Sequence, residues 1–169
     1  MGALRPDFPM SPKKIALCGA LAAAYAAITA ATAAFSFGPV QFRAAEALCL
    51  LCTLAPDAVW GLTLGCALAN LFSPVSVLDA LVGSAATLLG CLCVRRIRRP
   101  ALMPLPLIAV NAVFVGAELA VFCPGEAALS GFLVFAAQVA AGEAAVLYLL
   151  GLPLLLLVRR VLRVGDRRA

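Results

Sequence analysis

Residues 131–158 read GFLVFAAQVAAGEAAVLYLLGLPLLLLV. About 20 consecutive apolar residues are enough for a helix to cross the hydrocarbon core of a bilayer, and this run exceeds that length. It contains one amide side chain, Gln138, and one carboxylate, Glu143. The stretch therefore predicts a membrane-spanning helix that carries two polar groups into the membrane.

The composition of the whole chain points the same way. Of the 169 residues, 64% are hydrophobic and 12% are charged, whereas a soluble domain is about 45–50% apolar and about 25% charged. Apolar windows separated by proline, glycine or charge predict an all-α integral membrane protein with six transmembrane helices in one domain, residues 1–169. Their approximate ranges are 15–35, 39–54, 57–72, 75–94, 102–122 and 131–158. The first run is too long for the apolar part of a signal peptide, so we expect it to be a retained span.

The basic residues predict the orientation of these helices. If the six helices alternate in direction, 12 of the 13 lysine and arginine residues lie on one side of the membrane and only Arg43 lies on the other. Cytoplasmic loops carry the excess of basic residues, so both termini are predicted to be cytoplasmic. A second helix that did not span would turn the Arg95–Arg99 cluster outward, which favours six spans. The basic residues border apolar runs, so they indicate topology, and no nucleic-acid partner is expected.

Nine polar residues lie within the predicted spans. Placing a charge at the centre of a bilayer costs about 2.5–3.5 kcal/mol on insertion scales, so such groups are rare unless they act in function. In the predicted topology they all fall in the outer half of the membrane, on five of the six helices. They are Gln41, Arg43, Glu46, Asn70, Asp79, Asn111, Glu118, Gln138 and Glu143. The pattern predicts a pocket open to the exterior and sealed from the cytoplasm, and it disfavours a channel or a proton pathway.

The charges within this set do not balance. Arg43 and Glu46 are three residues apart and could pair on a helix, and mutual pairing is the alternative to ligand binding. However, the set contains four carboxylates and one arginine, and buried charge seldom stays unbalanced. Either some carboxylates are protonated or a ligand supplies positive charge and hydrogen-bond donors. A compact, donor-rich ligand with an aromatic ring could stack on one of four aromatic side chains: Tyr25, Phe37, Phe42 or Trp60.

The chain lacks the usual residues of an enzyme or a metal site. It has no histidine and no phosphate-binding loop of the Walker type. Cys49 and Cys52 form a CxxC pair with no second pair or histidine near it, so buried thiols are the expected interpretation. We therefore expect no catalysis, no cofactor and no metal, and active transport would need a partner that hydrolyses ATP.

Small residues at four-residue spacing mark two helices. Ala22, Ala26, Ala30 and Ala34 form such a stripe on the first helix, and small residues allow close helix packing in membranes. A partner surface and internal packing are about equally supported there. The stripe of Gly61, Gly65 and Ala69 on the third helix is assigned to internal packing.

Three stretches of the chain carry a family likeness: FGPVQFRAAEAL at residues 37–48, GLTLGCALANL at residues 61–71 and LDALVGSAATL at residues 78–88. They resemble the QueT family, the substrate-binding (S) components of energy-coupling factor (ECF) transporters. The likeness runs from about Lys13 to Arg160 and includes Asn111, Glu118 and Glu143. The resemblance implies a six-helix S-component bundle in the plasma membrane of a prokaryote, with queuosine precursors, which are 7-deazaguanines, as substrates.

The same resemblance implies partners and roles for individual segments. A transmembrane coupling subunit and two cytoplasmic ATPase subunits would complete the importer. Small residues of the first helix would contact the coupling subunit, and the loop around residues 35–41 would be the lid of the site. We therefore expect substrate contacts from eight residues: Gln41, Arg43, Glu46, Asn70, Asp79, Asn111, Glu118 and Glu143. The alternatives are an S component for another heterocycle or vitamin, and a structural membrane subunit without a ligand.

Overall fold

The computed structural model describes residues 11–37, 40–73, 78–122 and 128–166, and every regular element within these ranges is helical. The elements in chain order are α1 (Pro12–Ala31), α2 (Ala33–Ser36), the 3₁₀ segment (Ala44–Thr53), α3 (Ala58–Asn70), α4 (Asp79–Val94), a 3₁₀ turn (Pro100–Leu102), α5 (Pro104–Phe122), α6 (Ala128–Val146), the π segment (Leu147–Gly151) and α7 (Leu152–Asp166). Within the described residues the chain contains no strand, as the sequence predicts.

Three helical stretches of the described chain are long and apolar enough to cross a membrane. They are Pro12–Ala31, Pro100–Phe122 and Leu129–Leu162. Three further apolar helices are shorter, namely Ala44–Thr53, Ala58–Asn70 and Asp79–Val94. The described part of the protein is therefore helical, with helices that are long and apolar enough to cross a membrane, and the number of six spans stays a prediction.

The first and third helices run parallel to each other. Lys14 pairs with Asp57 at 2.8 Å between Nζ and Oδ2, which joins the beginning of α1 to the beginning of α3. One turn further along both helices, a Cβ atom added to Gly61 would collide with the backbone oxygen of Cys18. After one more turn Gly65 packs against Ala22, and a Cβ atom added to Gly65 would lie 2.8 Å from the backbone oxygen of Ala22. Glycine at these two positions allows the helices to approach each other at backbone distance.

The remaining elements alternate in direction. Asn70, the last residue of α3, bonds to Asp79, the first residue of α4. Near the other end of α4, a Cβ on Gly90 would lie 2.5 Å from Leu107 of α5, so α4 and α5 are antiparallel. Finally, Arg159 of α7 reaches Thr53, the last residue of the 3₁₀ segment, at 3.5 Å.

Two ends of the bundle follow from these contacts. We call the end that contains Lys14, Arg95 and Arg159 the basic end, and the opposite end the far end. The predicted clustering of positive charge on one side is thus reproduced by the packing of the described helices. Beneath the far end, the core consists of apolar side chains such as Leu50, Leu62 and Leu107.

The second predicted helix differs from the structure in its type. The sequence predicts an α-helix from Pro39 to Leu54, but the structure has a ten-residue 3₁₀ helix from Ala44 to Thr53. Pro39 itself lies outside the described residues. A 3₁₀ helix rises about 2.0 Å per residue and an α-helix about 1.5 Å. Ten residues therefore cover about 20 Å instead of about 15 Å, so a short buried segment can run from the polar cluster at the far end to the basic end.

The last predicted helix, residues 131–158, is also interrupted. It belongs to a longer helical run that begins at Ala128, and α6 and α7 are separated by the π segment at Leu147–Gly151. Pro153 is the second residue after the π segment and has no backbone N–H to donate. A wider π turn before it accommodates this missing hydrogen bond without ending the helix.

Candidate functional site

The eight residues predicted to contact substrate are all buried in the structure. Gln41 and Arg43 come from the segment before the 3₁₀ helix, and the others come from the 3₁₀ segment, α3, α4, α5 and α6. The largest exposed fraction among them is 6%, at Glu118. Gln138, the ninth polar residue, is half-buried. Because Asn70 and Asp79 lie at the far ends of α3 and α4, we call these nine residues, Gln138 included, the far-end polar cluster.

Arg43 is the positive centre of the far-end polar cluster. Its Nη2 donates to Oδ1 of Asp79 at 3.1 Å, and both side chains are 2% exposed. Asn70 supports this pair, since its Nδ2 donates to the backbone oxygen of Asp79 at 3.1 Å. The suggested helical pairing of Arg43 with Glu46 is therefore wrong. Arg43 precedes the 3₁₀ segment, with φ −80° and ψ 86°, so the two side chains do not stand one turn apart on a helix.

Glu46 is held by two hydroxyl groups instead. Tyr25 donates its phenolic hydrogen to Oε1 of Glu46, and Thr87 donates to the same oxygen at 3.1 Å. Tyr25 was a candidate for stacking on a ligand, but its hydroxyl has this structural partner. The sequence does not predict Thr87 as a member of the site, because threonine is common in membrane helices. It lies eight residues after Asp79, about two helical turns, and this spacing on one face of α4 is the signal that could have revealed it.

The other side of the far-end polar cluster comes from α5 and α6. Glu118 interacts electrostatically with Asp79 and Arg43, and Glu143 interacts with Glu46 and Arg43. Asn111 lies seven residues before Glu118, about two turns deeper on the same face. All four buried carboxylates of the cluster therefore interact electrostatically with a single guanidinium, that of Arg43, and Asp79 is the one in direct contact with it among the described residues.

The charge imbalance expected from the sequence persists in the packed structure. Within the described part of the bundle, the ion pairs are Arg43–Asp79 and the Lys14–Asp57 pair at the basic end. Glu46, Glu118 and Glu143 have no cationic partner among them. A buried carboxylate without a cation or donors is strongly unfavourable, so this site is suited to a ligand that brings donors or positive charge.

Buried polar atoms without a hydrogen-bond partner also indicate that the cluster is suited to a ligand. A buried donor or acceptor without a partner costs about 1–3 kcal/mol, and native structures contain few of them. In the far-end polar cluster the described residues leave seven acceptor atoms and three donor atoms without a hydrogen-bond partner. The acceptors are Glu46 Oε2, Asp79 Oδ2, Asn111 Oδ1, Glu118 Oε1 and Oε2, Gln138 Oε1 and Glu143 Oε2, and the donors are Arg43 Nε, Arg43 Nη1 and Asn111 Nδ2. A ligand with several donors and at least one acceptor would satisfy this set.

The segment around Gln41 closes the cluster on one side. A Cβ on Gly142 would lie 2.6 Å from the backbone oxygen of Gln41, so this segment packs directly on α6. The backbone N–H of Phe42 donates to the oxygen of Phe35 at 2.9 Å. Phe37 adds an aromatic face 6.0 Å from the Arg43 guanidinium carbon, within the range of a cation–π contact. Part of the proposed lid, residues 38 and 39, lies outside the described residues.

Two of the aromatic candidates do not lie inside the cluster. Trp60 is 60% exposed on α3 and belongs to the outer surface of the bundle. Phe42 is also exposed. Phe37 remains as the candidate for stacking on a ligand, because its ring lies beside Arg43 whereas Tyr25 is bonded to Glu46 through its hydroxyl.

The alanine stripe of α1 is divided by the fold. Ala22 is 4% exposed and packs against Gly65, and Ala26 is half-buried. Ala30 and Ala34 are exposed. A groove of about 450 Å³ beside Ala26 and Ala30 is bordered by Leu68 and Phe72 of the α3 end. The far part of the stripe is thus accessible in this chain, whereas Ala22 belongs to internal packing.

Comparison with known proteins gives one finding. A family model described as QueT transporter matches residues 15–160, which is most of the chain. No curated protein and no solved structure matches the sequence.

Proposed function

The chain belongs to the QueT transporter family, and from this membership we propose that it captures a queuosine precursor, a 7-deazaguanine, from outside the cell. In this proposal it acts as the S component of an ECF-type ABC importer. The family is one of transporters, so the protein itself is not proposed to catalyse a reaction.

The observation that carries the proposal is the set of unpartnered atoms around Arg43. A 7-deazaguanine presents an exocyclic amino group and ring N–H groups as donors, and a ring carbonyl as an acceptor. The described cluster offers more unpartnered acceptors than donors, and its donors include two N–H groups of Arg43. Donors and acceptors of this ligand therefore match the polarity of the site.

The position of the cluster supports uptake from outside. The polar residues lie toward the far end, and the basic residues lie at the opposite end. Positive residues favour the cytoplasmic side, so we place the far end at the exterior of a prokaryotic plasma membrane. Apolar side chains between the cluster and the basic end, such as Leu50 and Leu107, would prevent leakage of a polar ligand.

Energy for transport would come from partner subunits. The proposal assigns ATP hydrolysis to two cytoplasmic ATPase subunits and mechanical coupling to a transmembrane subunit. The exposed residues Ala30 and Ala34 are the part of the alanine stripe that could contact that subunit. Ala22 would act indirectly, by fixing α1 against α3.

A ligand panel on the purified chain tests the proposed substrate. Thermal unfolding would be measured with 7-deazaguanines and, in parallel, with biotin, thiamin, riboflavin and folate. A ligand that binds only the native state stabilises it by an amount that grows with the logarithm of the ligand concentration divided by Kd, so only the 7-deazaguanines should raise the unfolding temperature. Stabilisation by one of the vitamins instead would favour the alternative S component, and stabilisation by none would favour a structural subunit. The Asp57→Asn variant is a suitable control, because Asp57 pairs with Lys14 at the basic end, away from the cluster.

A further inference from the structure

The four buried carboxylates of the far-end polar cluster differ in the oxygens that they leave free. Oε1 of Glu46 accepts from both Tyr25 and Thr87. A carboxylate oxygen accepts about two hydrogen bonds, so this oxygen has no capacity left and only Oε2 is available. Asp79 likewise has one oxygen engaged by Arg43 and one without a partner.

Glu118 is different from the other carboxylates. Both of its oxygens are buried and receive no hydrogen bond from a donor group of the described protein, and among the described residues of the cluster no other carboxylate has two such atoms. The polar neighbour of Glu118 is another acceptor, the carboxyl group of Asp79. Glu143 has one, Oε2. Two adjacent donors on one edge of a ligand need two acceptor atoms side by side, which a carboxylate with both oxygens free provides.

We propose that Glu118 binds the paired donors of the substrate edge, and that Tyr25 and Thr87 are positioning residues that limit Glu46 to a single acceptor atom. This inference rests on the proposed function and adds the orientation of the ligand. Glu46 then receives one donor from another part of the ligand at Oε2. Tyr25 and Thr87 act only through Glu46 and do not contact the ligand.

The neighbour of Glu118 fits the same orientation. In a guanine-like edge the carbonyl is adjacent to the ring N–H, and the ring N–H is adjacent to the amino group. Glu118 lies beside Asp79, and Asp79 contacts Arg43 at 3.1 Å. The Nε and Nη1 atoms of Arg43 have no hydrogen-bond partner among the described residues. With the two donors on Glu118, the adjacent carbonyl would face the free N–H groups of Arg43. The N–H groups of Arg43 beside the two oxygens of Glu118 are thus complementary to the carbonyl, ring N–H and amino group of the ligand edge.

Tyr25 and Thr87 are suited to a positioning role by their burial and origin. Both side chains are buried, at 1% and 0% exposure, and they come from different helices, α1 and α4. Thr87 also lies 3.3 Å from Cys66 of α3. Hydrogen bonds from two rigid helices fix the carboxylate in one rotamer, which a bond from a single flexible segment would not do.

The test uses two ligands that differ only in the amino group, 7-deazaguanine and 7-deazahypoxanthine. Equilibrium affinities would be measured by calorimetry on the purified full-length chain and on isosteric variants. The native chain should prefer 7-deazaguanine by at least about tenfold, the size expected for one hydrogen bond to a charged group. Glu118→Gln should reduce this preference to below about threefold, because one acceptor oxygen becomes a donor amide. Glu46→Gln should weaken both ligands and keep their ratio.

The positioning role has its own readout. Thr87→Val should weaken both ligands by about tenfold, and Thr87→Ser should restore binding because it keeps the hydroxyl. In the Glu46→Gln background Thr87→Val should have no further effect, since it acts only through that carboxylate. If Thr87→Val does not fold, Tyr25→Phe provides the same test on the other donor.

Three results would contradict the inference. A Glu118→Gln variant that keeps the preference for the amino group would exclude Glu118 as the carboxylate that binds the paired donors. Additive effects of Thr87→Val and Glu46→Gln would show a general structural role for Thr87. A native chain that binds neither ligand would overturn the proposed function itself, and the inference with it.

Discussion

At the scale of single residues, the sequence predicts which side chains are buried, but not how they pair. All eight predicted contact residues are buried, because polar residues that persist in apolar helices are expected to face the interior of the bundle. The partner of Arg43 could not be predicted, since it depends on the backbone before the 3₁₀ segment. The sequence also does not predict that Thr87 bonds to Glu46 or that Gly83 packs against Asn70, because neither threonine nor glycine is costly in a membrane helix.

Gly83 is predicted to be essential for the arrangement of the cluster. A Cβ at this position would collide with Nδ2 of Asn70 and would lie 3.2 Å from Nη1 of Arg43. Gly83→Ala should displace the Asn70 amide from the Asp79 oxygen and destabilise the protein by about 1–3 kcal/mol. Thermal unfolding in detergent measures this change. Gly19→Ala is the matched control, because no atom lies within 4 Å of its Cβ position, and equal unfolding temperatures for the two variants would contradict the prediction.

The ion pair of Arg43 and Asp79 gives a second prediction at this scale. Removing one partner of a buried pair costs about 3–5 kcal/mol, because the other charge is left uncompensated. Arg43→Met should therefore lower the unfolding temperature strongly. Adding Asp79→Asn to Arg43→Met should recover part of the loss, since the remaining charge is removed. If the double variant is less stable than Arg43→Met, the pair is not the source of the effect.

At the scale of elements, hydrophobic windows predict where helices occur and fail to predict their type. The 3₁₀ segment and the π segment differ from the α-helix in rise and hydrogen bonding, not in composition. Runs of 3₁₀ helix longer than three or four residues are uncommon, and this one packs against the π segment, with Gly151 beside Ala47. The 3₁₀ form lets a short buried segment extend further along the bundle, and the π form accommodates the proline at position 153. Both explanations depend on the assembled bundle and not on composition.

The packing of the Gln41 segment on α6 leads to a prediction about the closed site. Gly142→Ala would place a Cβ 2.6 Å from the Gln41 oxygen, so the segment that carries Gln41 and Arg43 must shift. We expect at least about tenfold weaker ligand binding, because the Arg43 donors would move out of hydrogen-bond range. Calorimetry on the folded variant measures the loss. Gly131→Ala on the same helix has no atom within 4 Å of its Cβ and should bind as the native chain does, so a similar loss in both variants would contradict this account.

At the scale of the whole molecule, the positions of the basic residues in the sequence predict which helix ends lie together. The described contacts place α1 and α3 in parallel and alternate the other elements, so Lys14, Arg95 and Arg159 lie at one end. The sequence predicts this because basic residues flank the apolar runs. It does not predict the close α1–α3 approach at Gly61 and Gly65 in atomic detail, since several helices carry comparable small-residue stripes.

Labelling in cells tests the orientation that we propose. Phe72 is 85% exposed near the far end, and Arg160 is exposed near the basic end. With the far end outside, a thiol reagent that does not cross membranes should label Phe72→Cys in intact cells. It should label Arg160→Cys only after the cells are permeabilised, and the chain without either substitution measures the background. Labelling of Arg160→Cys in intact cells would reverse the proposed orientation.

The central claim is that the unpartnered carboxylates at the far end bind a 7-deazaguanine. Equilibrium binding of 7-deazaguanine to the purified chain alone, with Glu118→Gln and Glu143→Gln as variants, tests this claim most directly. The account predicts saturable binding to the native chain and at least about tenfold weaker binding in each variant. The absence of saturable binding to the native chain, or an affinity unchanged in both variants, would contradict it.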